Sequence, residues 1–404
     1  MQQSETAERP GQPHADNRIL VISRIGCPPP NRGNRTRMAA LLVEMRRLGY
    51  KIHFAGVRMA TEEKTATQSG VDKWVGDFES PPPLAGFARL RASVAYRVHQ
   101  LLRRFNFVHD RLDDMFCDHW LPEARALQQR GRYSRVLVPY VYHSKFLLAF
   151  PDPCLRILDT IDAFSIRRPQ FQAAPTAGTN SRSYSPAEEK RGLLRAQNII
   201  AIQDAEAAYF RQLLGPSGKV YTVGHFTEGL GQPLPSTSFL RLGCIGSSAL
   251  FNQQGIQWFL REVWPRILGR LPGAELWVAG KIGEYCAPAP GLRILGQIPS
   301  LADFYRDCPV LINPVWAGSG LKIKTIEALM HGRPVVTTSI GAEGLEAFRG
   351  HGLFVGDSAE EFAKVVIDLL SDLVQAQLVG QAALQRIRDY AAESRREFAQ
   401  AVSN

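Results

Sequence analysis

Close cysteine pairs are missing from this 404-residue chain: Cys27, Cys117, Cys154, Cys244, Cys286 and Cys308 stand far apart. That spacing excludes a zinc ribbon or a Cys-x-x-Cys redox site and fits a reducing compartment. No apolar run approaches the roughly 20 residues that cross a bilayer. Residues 1–16 are polar and lack an apolar core, so they read as a loose tail and not a signal peptide. A cytoplasmic protein is expected, resting at most on the inner face of a membrane. Nucleic-acid-binding modules are also lacking. The net charge of +10 therefore points to nucleotide diphosphates or an acidic lipid surface and away from nucleic acid.

What is present is a soluble globular composition, 45% hydrophobic and 21% charged, in a chain too long for one ordinary core. Two domains are expected. Arg18 to Ser23 is a short apolar run, followed by the loop Gly26-Cys27-Pro28-Pro29-Pro30-Asn31-Arg32-Gly33-Asn34. A helix then carries Met38, Leu41, Leu42, Met45 and Leu48 to a stop at Gly49, and Lys51 to Val57 is the next strand. This is a Rossmann-type opening without the dinucleotide fingerprint, since the loop proper holds only Gly33, so a dehydrogenase is excluded.

Further along, Phe87 to Phe105 sets five arginines around an apolar helix face. It reads either as a surface helix on anionic lipid or as a packed helix with a solvated rim. The acidic and histidine residues between His109 and His119 match no metal-ligand spacing and read as capping and surface charge. Arg135 to Pro139 and Leu155 to Leu158 are buried strands, the second running into Asp159-Thr160-Ile161-Asp162. Carboxylates there lie at the carboxyl edge of a sheet, where open α/β folds bind ligands. Asp162 is thus a candidate contact to a substrate, or a helix N-cap. A loop at Phe171 to Ser185, strands Asn198 to Ile202 and Lys219 to Val223, and the helix Asp204 to Leu214 between them complete the first domain.

The densest information lies between Asn313 and Gly344. A buried strand ends at Asn313, a loop containing Gly318, Ser319 and Gly320 follows, and a helix runs from about Leu321 to His331 into a strand at Pro334 to Thr337. The small residues let backbone N–H groups approach a ligand closely. Lys322 and Lys324 put positive charge at the positive end of that helix, which makes sense if an anion sits there. Glu327 shares the helix face of Ile323, Ile326 and Met330, and a carboxylate on an apolar face needs donors. An anion site and a polyol site about two helical turns apart suit a nucleotide sugar.

These residues, with the Gly332-Arg333-Pro334-Val335-Val336-Thr337-Thr338 run that follows, resemble the donor-site segment of the retaining glycosyltransferases of family four. The resemblance implies the α/β GT-B fold, two facing Rossmann-like domains with a cleft between them and a C-terminal helix crossing back. On this reading the units are a tail (1–16), an acceptor-side domain (17–226), a linker (227–238), a nucleotide-sugar domain (239–385) and a crossover helix (386–404). By the same resemblance Glu327 holds the ribose, while Gly318, Ser319, Gly320, Leu321, Lys322 and Lys324 hold the diphosphate and sugar. Gly33 and Asn34 lie beneath the phosphates or form a plain turn. Gly246 and Ser247 flank the diphosphate, and Gln297 and Ile298 contact the base. Asp162 and Lys322 are the candidate catalytic residues.

Four positions depart from the family pattern: Ser319 for its first Glu, Ile161 for a His, and Ser247 and Gln254 for an Arg and a Lys. The activity implied is transfer of a sugar from a UDP- or GDP-sugar to an acceptor hydroxyl with retention and without a bound metal. The acceptor would be a glycan, lipid-linked or small, in surface polysaccharide or glycolipid assembly. The alternatives are a nucleotide-sugar epimerase of the same fold and a non-catalytic binding relic.

Overall fold

Two sets of short, apolar strands buried on both faces organise the protein. The computed structural model describes residues 17–27, 33–80, 111–166, 184–226, 240–318 and 320–403. The N-terminal tail, the arginine-rich segment at 87–105, most of the 171–185 loop, the 227–238 linker and Ser319 lie outside the described residues.

The first sheet contains β1 (Arg18–Ser23), β2 (Lys51–Val57), β3 (Lys73–Phe78), β4 (Arg135–Pro139), β5 (Leu155–Asp159), β6 (Asn198–Ala201) and β7 (Lys219–Thr222). Their order is β3-β2-β1-β4-β5-β6-β7, every pair parallel. Around it lie α1 (Gly33–Arg47), α2 (Thr61–Ser69), α3 (Trp120–Gly131), α4 (Pro186–Leu193) and α5 (Asp204–Leu214). Ile19, Leu20, Val21 and Ile22 are wholly enclosed, as a central parallel strand covered on both faces requires.

The second sheet contains β8 (Arg241–Ile245), β9 (Glu275–Ala279), β10 (Leu292–Gly296), β11 (Val310–Asn313), β12 (Val335–Thr337) and β13 (Leu353–Val355). Its order is β10-β9-β8-β11-β12-β13, again all parallel. Its helices are α6 (Leu250–Trp258), continued through a π-helical turn at Phe259–Val263 into α7 (Trp264–Arg270), then α8 (Leu301–Asp307), α9 (Ile323–Met330) and α10 (Ala359–Ser371). Ile256, Phe259, Val263 and Ile267 are buried along the α6–α7 run, as their spacing predicts.

Each sheet reverses direction at one point, between β1 and β4 and between β8 and β11. Crevices at such reversals, outside the carboxyl ends of the strands, are where open α/β sheets bind ligands. A single 31-residue helix, α11 (Leu373–Ser403), joins the two domains. Ala383, Leu384 and Ile387 pack in the second domain, and Ala391, Phe398, Ala401 and Val402 pack in the first. Asn198 Nδ2 and Arg135 Nε each donate to carbonyls of its last turn, Ala401 O and Val402 O, at 2.8 Å. The helix itself begins at Leu373, so position 386 lies inside it.

Several elements were not anticipated: α2, β3, β10 and the 3-10 turns at Val141–Ala149. β3 and β10 each form one edge of a sheet, where one flank is unpaired, and their residues are less buried than those of the central strands.

Candidate functional site

The second sheet's reversal places the Asn313–Gly344 stretch at its carboxyl edge. Asn313 Nδ2 donates to Thr325 Oγ1 at 3.0 Å, and Thr337 Oγ1 donates to Asn313 O at 2.6 Å, tying the end of β11 to α9 and β12. Gly318 (φ 115°) and Gly320 (φ 74°) adopt left-handed backbone that a side chain would strain. Behind the loop, α6 approaches so closely at Gly255 that a Cβ there would run into the Pro314 carbonyl.

Lys322 immediately precedes α9 and is buried. Its Nζ donates to Gly318 O at 3.0 Å and Gly320 O at 2.8 Å, and stands 3.8 Å from the Glu343 carboxylate. Because a trans peptide sets its N–H opposite its carbonyl, turning Gly320 O toward this ammonium turns the Leu321 N–H the other way. Lys322 shapes the loop from within. Lys324 Nζ donates to Asn252 Oδ1 at 2.9 Å, and Asn252 Nδ2 donates to Ser247 O at 3.1 Å and Oγ at 3.2 Å. Burial pushes the Lys324 amine down to about 8. These bonds form two groups, Lys322 with the glycine loop and Lys324 with Asn252 and Ser247, near enough for the Lys322 charge to help lower the Lys324 amine. Gly246 contributes differently: its N–H donates to Ala279 O at 3.1 Å, which holds the loop after β8 against β9.

Glu327 lies about 7.5 Å along the helix axis from Lys322, by helical rise. Its carboxylate makes no hydrogen bond or ion pair with any described residue, and burial pushes it up to about 7. Gln297 is exposed and Ile298 half-buried in the turn before α8, whose N-cap Ser300 accepts from Asp303 N at 3.2 Å.

Across the cleft, Gly33 opens α1, and a Cβ there would stand 3.4 Å from Ile323 Cγ1. Asn34 Nδ2 donates to Tyr140 Oη at 3.2 Å. Tyr140 (φ 67°) and Ile161 (φ 62°) are strained non-glycine residues at the ends of neighbouring strands β4 and β5. The Ile161 carbonyl oxygen would be 3.6 Å from a Cβ on Gly320, so Asp162 follows a residue touching the glycine loop. No helix starts at Asp162 within the described residues; 164–166 form a turn.

Asp162 adjoins two buried carboxyls. Burial raises both, that of Glu206 well above the usual range, and the Asp162 charge adds to the effect on each. Asp159 has another role: its carboxylate is buried in an ion pair with Arg37, 2.7 Å from Nη2, and Arg37 Nη1 also donates to Val223 O and Gly224 O. Of the acidic residues before His119, Asp118 makes an exposed ion pair with Lys145 at 3.0 Å, whereas Asp113 is not free surface charge but pairs with the largely buried Arg195 at 2.7 Å. Glu343 escaped sequence reading, although the Gly341-Ala342-Glu343-Gly344 spacing after β12 was a visible signal for it. The Asn252-Gln253-Gln254-Gly255-Ile256 run, which the sequence resemblance pairs with the Gly-Leu-Lys-x-Lys motif, meets that motif through Asn252 and Lys324.

Two facing Rossmann-like domains, a cleft lined by both reversal points and a crossing C-terminal helix define the GT-B class of glycosyltransferase folds. Residues 240–372 match the family model described as Glycosyl transferases group 1. A curated relative, an uncharacterized 44.6 kDa protein in the cps region of Klebsiella pneumoniae, is 30% identical over 129 residues. That overlap spans 29% of this chain and 33%, about a third, of the relative.

Among solved structures, the sucrose-phosphate synthase of Thermosynechococcus elongatus superposes with a TM-score of 0.67 at 14% identity, covering 95% of this chain and 97% of that one. Anabaena HepE in complex with UDP and glucose gives a TM-score of 0.61 at 14% identity over 96% and 99% of the two chains. An S. aureus TarM mutant in complex with Fondaparinux, alpha-GlcNAc-glycerol and UDP gives 0.65 at 10% identity over 96% and 100%. Among the described residues no helix is long and apolar enough to cross a membrane.

Proposed function

We propose that the protein is a retaining glycosyltransferase of family four that transfers a sugar from a UDP-sugar to an acceptor hydroxyl during assembly of a surface polysaccharide or glycolipid. The observation that carries this reading is Glu327, a half-buried carboxylate without a hydrogen-bond or ion-pair partner among the described residues, on the helix that follows a left-handed glycine loop. A diphosphate on the loop N–H groups and the α9 N-terminus puts a pentose within reach of that carboxylate. UDP in the HepE and TarM structures and the cps-region location of the relative support the choice of donor and setting.

The chemistry follows from placement. Charge gathers on the leaving diphosphate as the glycosidic bond to the donor breaks. The loop N–H groups, with Lys322 and Lys324 beneath them, stabilise that charge. Glu327 holds the nucleoside in register, and Gln297 and Ile298 flank the base. Asp162 faces the donor sugar from the other domain. Contact between Gly33 and α9 closes the cleft over the phosphates and limits hydrolysis by water.

A thermal-shift screen of UDP, GDP and their sugars tests the reading, since a ligand at 100 times its Kd adds about 2.7 kcal/mol to folding stability. UDP and UDP-sugars should raise the melting temperature of the wild type and much less that of Glu327→Ala. No response to any nucleoside diphosphate, or an equal response in the variant, would remove the donor site. Product analysis without acceptor separates transfer from epimerisation, which needs none.

A further inference from the structure

Tyr305 is completely enclosed, and its hydroxyl has no hydrogen-bond partner among the described residues. It lies on α8, directly after the Gln297–Ile298 turn. Its ring stacks on His331, 4.7 Å between centroids and 25° between planes. His331 follows Glu327 by four residues, so the two project over Tyr305 from the same side of α9. The Glu327 charge reaches the hydroxyl: together with burial it pushes the phenol well above its usual range.

Glu327 itself has no donor among the described residues. An orphaned donor and an orphaned acceptor in one buried wall are each costly alone and satisfied together. The other groups packed round the phenol do not compete for the carboxylate. Cys308 is a thiol pushed up to about 12, and burial and Arg333 hold the His331 ring below its usual value, toward the neutral form. The Arg333 guanidinium donates instead to Arg306 O at 3.1 Å.

We infer that Tyr305 is a positioning residue for the nucleotide, its hydroxyl donating through one bridging water to Glu327 and fixing the rotamer in which that carboxylate accepts the pentose hydroxyls. The inference rests on Glu327 as the pentose anchor, and the test separates the two. UDP and 2′,3′-dideoxy-UDP are titrated calorimetrically into wild type, Tyr305→Phe, Glu327→Gln and the double variant. Wild type should prefer UDP by more than tenfold.

Tyr305→Phe should lose about tenfold in UDP affinity and nothing for the dideoxy nucleotide. Donor KM should rise in step while kcat stays within twofold, and the double variant should match Glu327→Gln alone. Tyr305→Phe without nucleotide should unfold close to wild type, because only one water-mediated hydrogen bond is lost and the ring still stacks on His331. UDP affinity unchanged in Tyr305→Phe, or equal losses for both nucleotides, would overturn the positioning role and leave Glu327 in place. A wild type blind to the pentose hydroxyls would instead take down the anchor itself.

Discussion

Gly33, the first residue of α1, lies against Ile323, the first residue of α9, with 3.4 Å between Ile323 Cγ1 and the place a Cβ on Gly33 would take. Two helix N-termini from different domains therefore meet at the cleft, with the Ile323 side chain facing the place a Gly33 side chain would take. Alanine fits at ordinary contact distance, and Gly33→Ala should stay near wild type. Gly33→Leu should hold the domains apart and cut kcat/KM on the order of 100-fold, the scale of an ångström misplacement of reacting groups. Steady-state kinetics beside a melting curve would check it: a fully active Gly33→Leu enzyme would mean that closure at this contact is dispensable.

The acidity of Glu327 sets a pH dependence. Burial raises its folded value from 4.5 to about 7. The stability this group contributes is fully present below the unfolded value and is lost as pH rises through about 7. Glu327→Gln should therefore gain stability relative to wild type above neutrality. Binding runs the opposite way, because the ionised form accepts pentose hydroxyls better. UDP affinity should rise about tenfold between pH 6 and 8 in wild type and stay flat in Glu327→Gln. Above pH 8, Lys324, pushed down to about 8, loses its charge and affinity should fall again. Calorimetric titrations across that range would show both limbs.

Lys322 holds two loop carbonyls, Gly318 O and Gly320 O, on its buried ammonium. Lys322→Ala frees them to swing toward the diphosphate, which a carbonyl repels. Turnover should fall by about 100-fold or more. Lys322→Arg should not rescue it, since the planar guanidinium does not fit a site shaped for a compact ammonium. Turnover within twofold of wild type in the alanine variant would dismiss this account of the loop.

The Arg37–Asp159 pair is a matter of stability. Arg37→Met leaves the Asp159 carboxylate buried without its cation and should cost about 3–5 kcal/mol in urea unfolding. Removing both charges, Arg37→Met with Asp159→Leu, should recover most of that loss. Equal losses in the single and double variants would argue against a buried-charge penalty.

The central strands were legible because each is a short, wholly apolar run, and β1, β2 and β4 occupy the spans expected for them. Helix α9 and the loop before it were legible because Gly318, Gly320 and Glu327 break local rules in a recognisable order. Lys322 was harder. Sequence put its charge at a helix end facing an anion, while the folded loop turns the ammonium onto its own carbonyls. Asp159 and Asp162 stand three residues apart, yet Arg37, 122 residues away from Asp159, binds the first, while the second adjoins the buried carboxyls of Glu189 and Glu206.

The sequence by itself determined where most strands and helices lie and marked one segment as a candidate anion site, because periodicity, glycine and helix-end charge act over a few residues. Tertiary structure alone decided which polar groups are spent on each other and which face the cleft. Partners such as Glu343 for Lys322 and Asn252 for Lys324 come together only when two parallel sheets bring distant loops to one edge, and no local pattern encodes that distance.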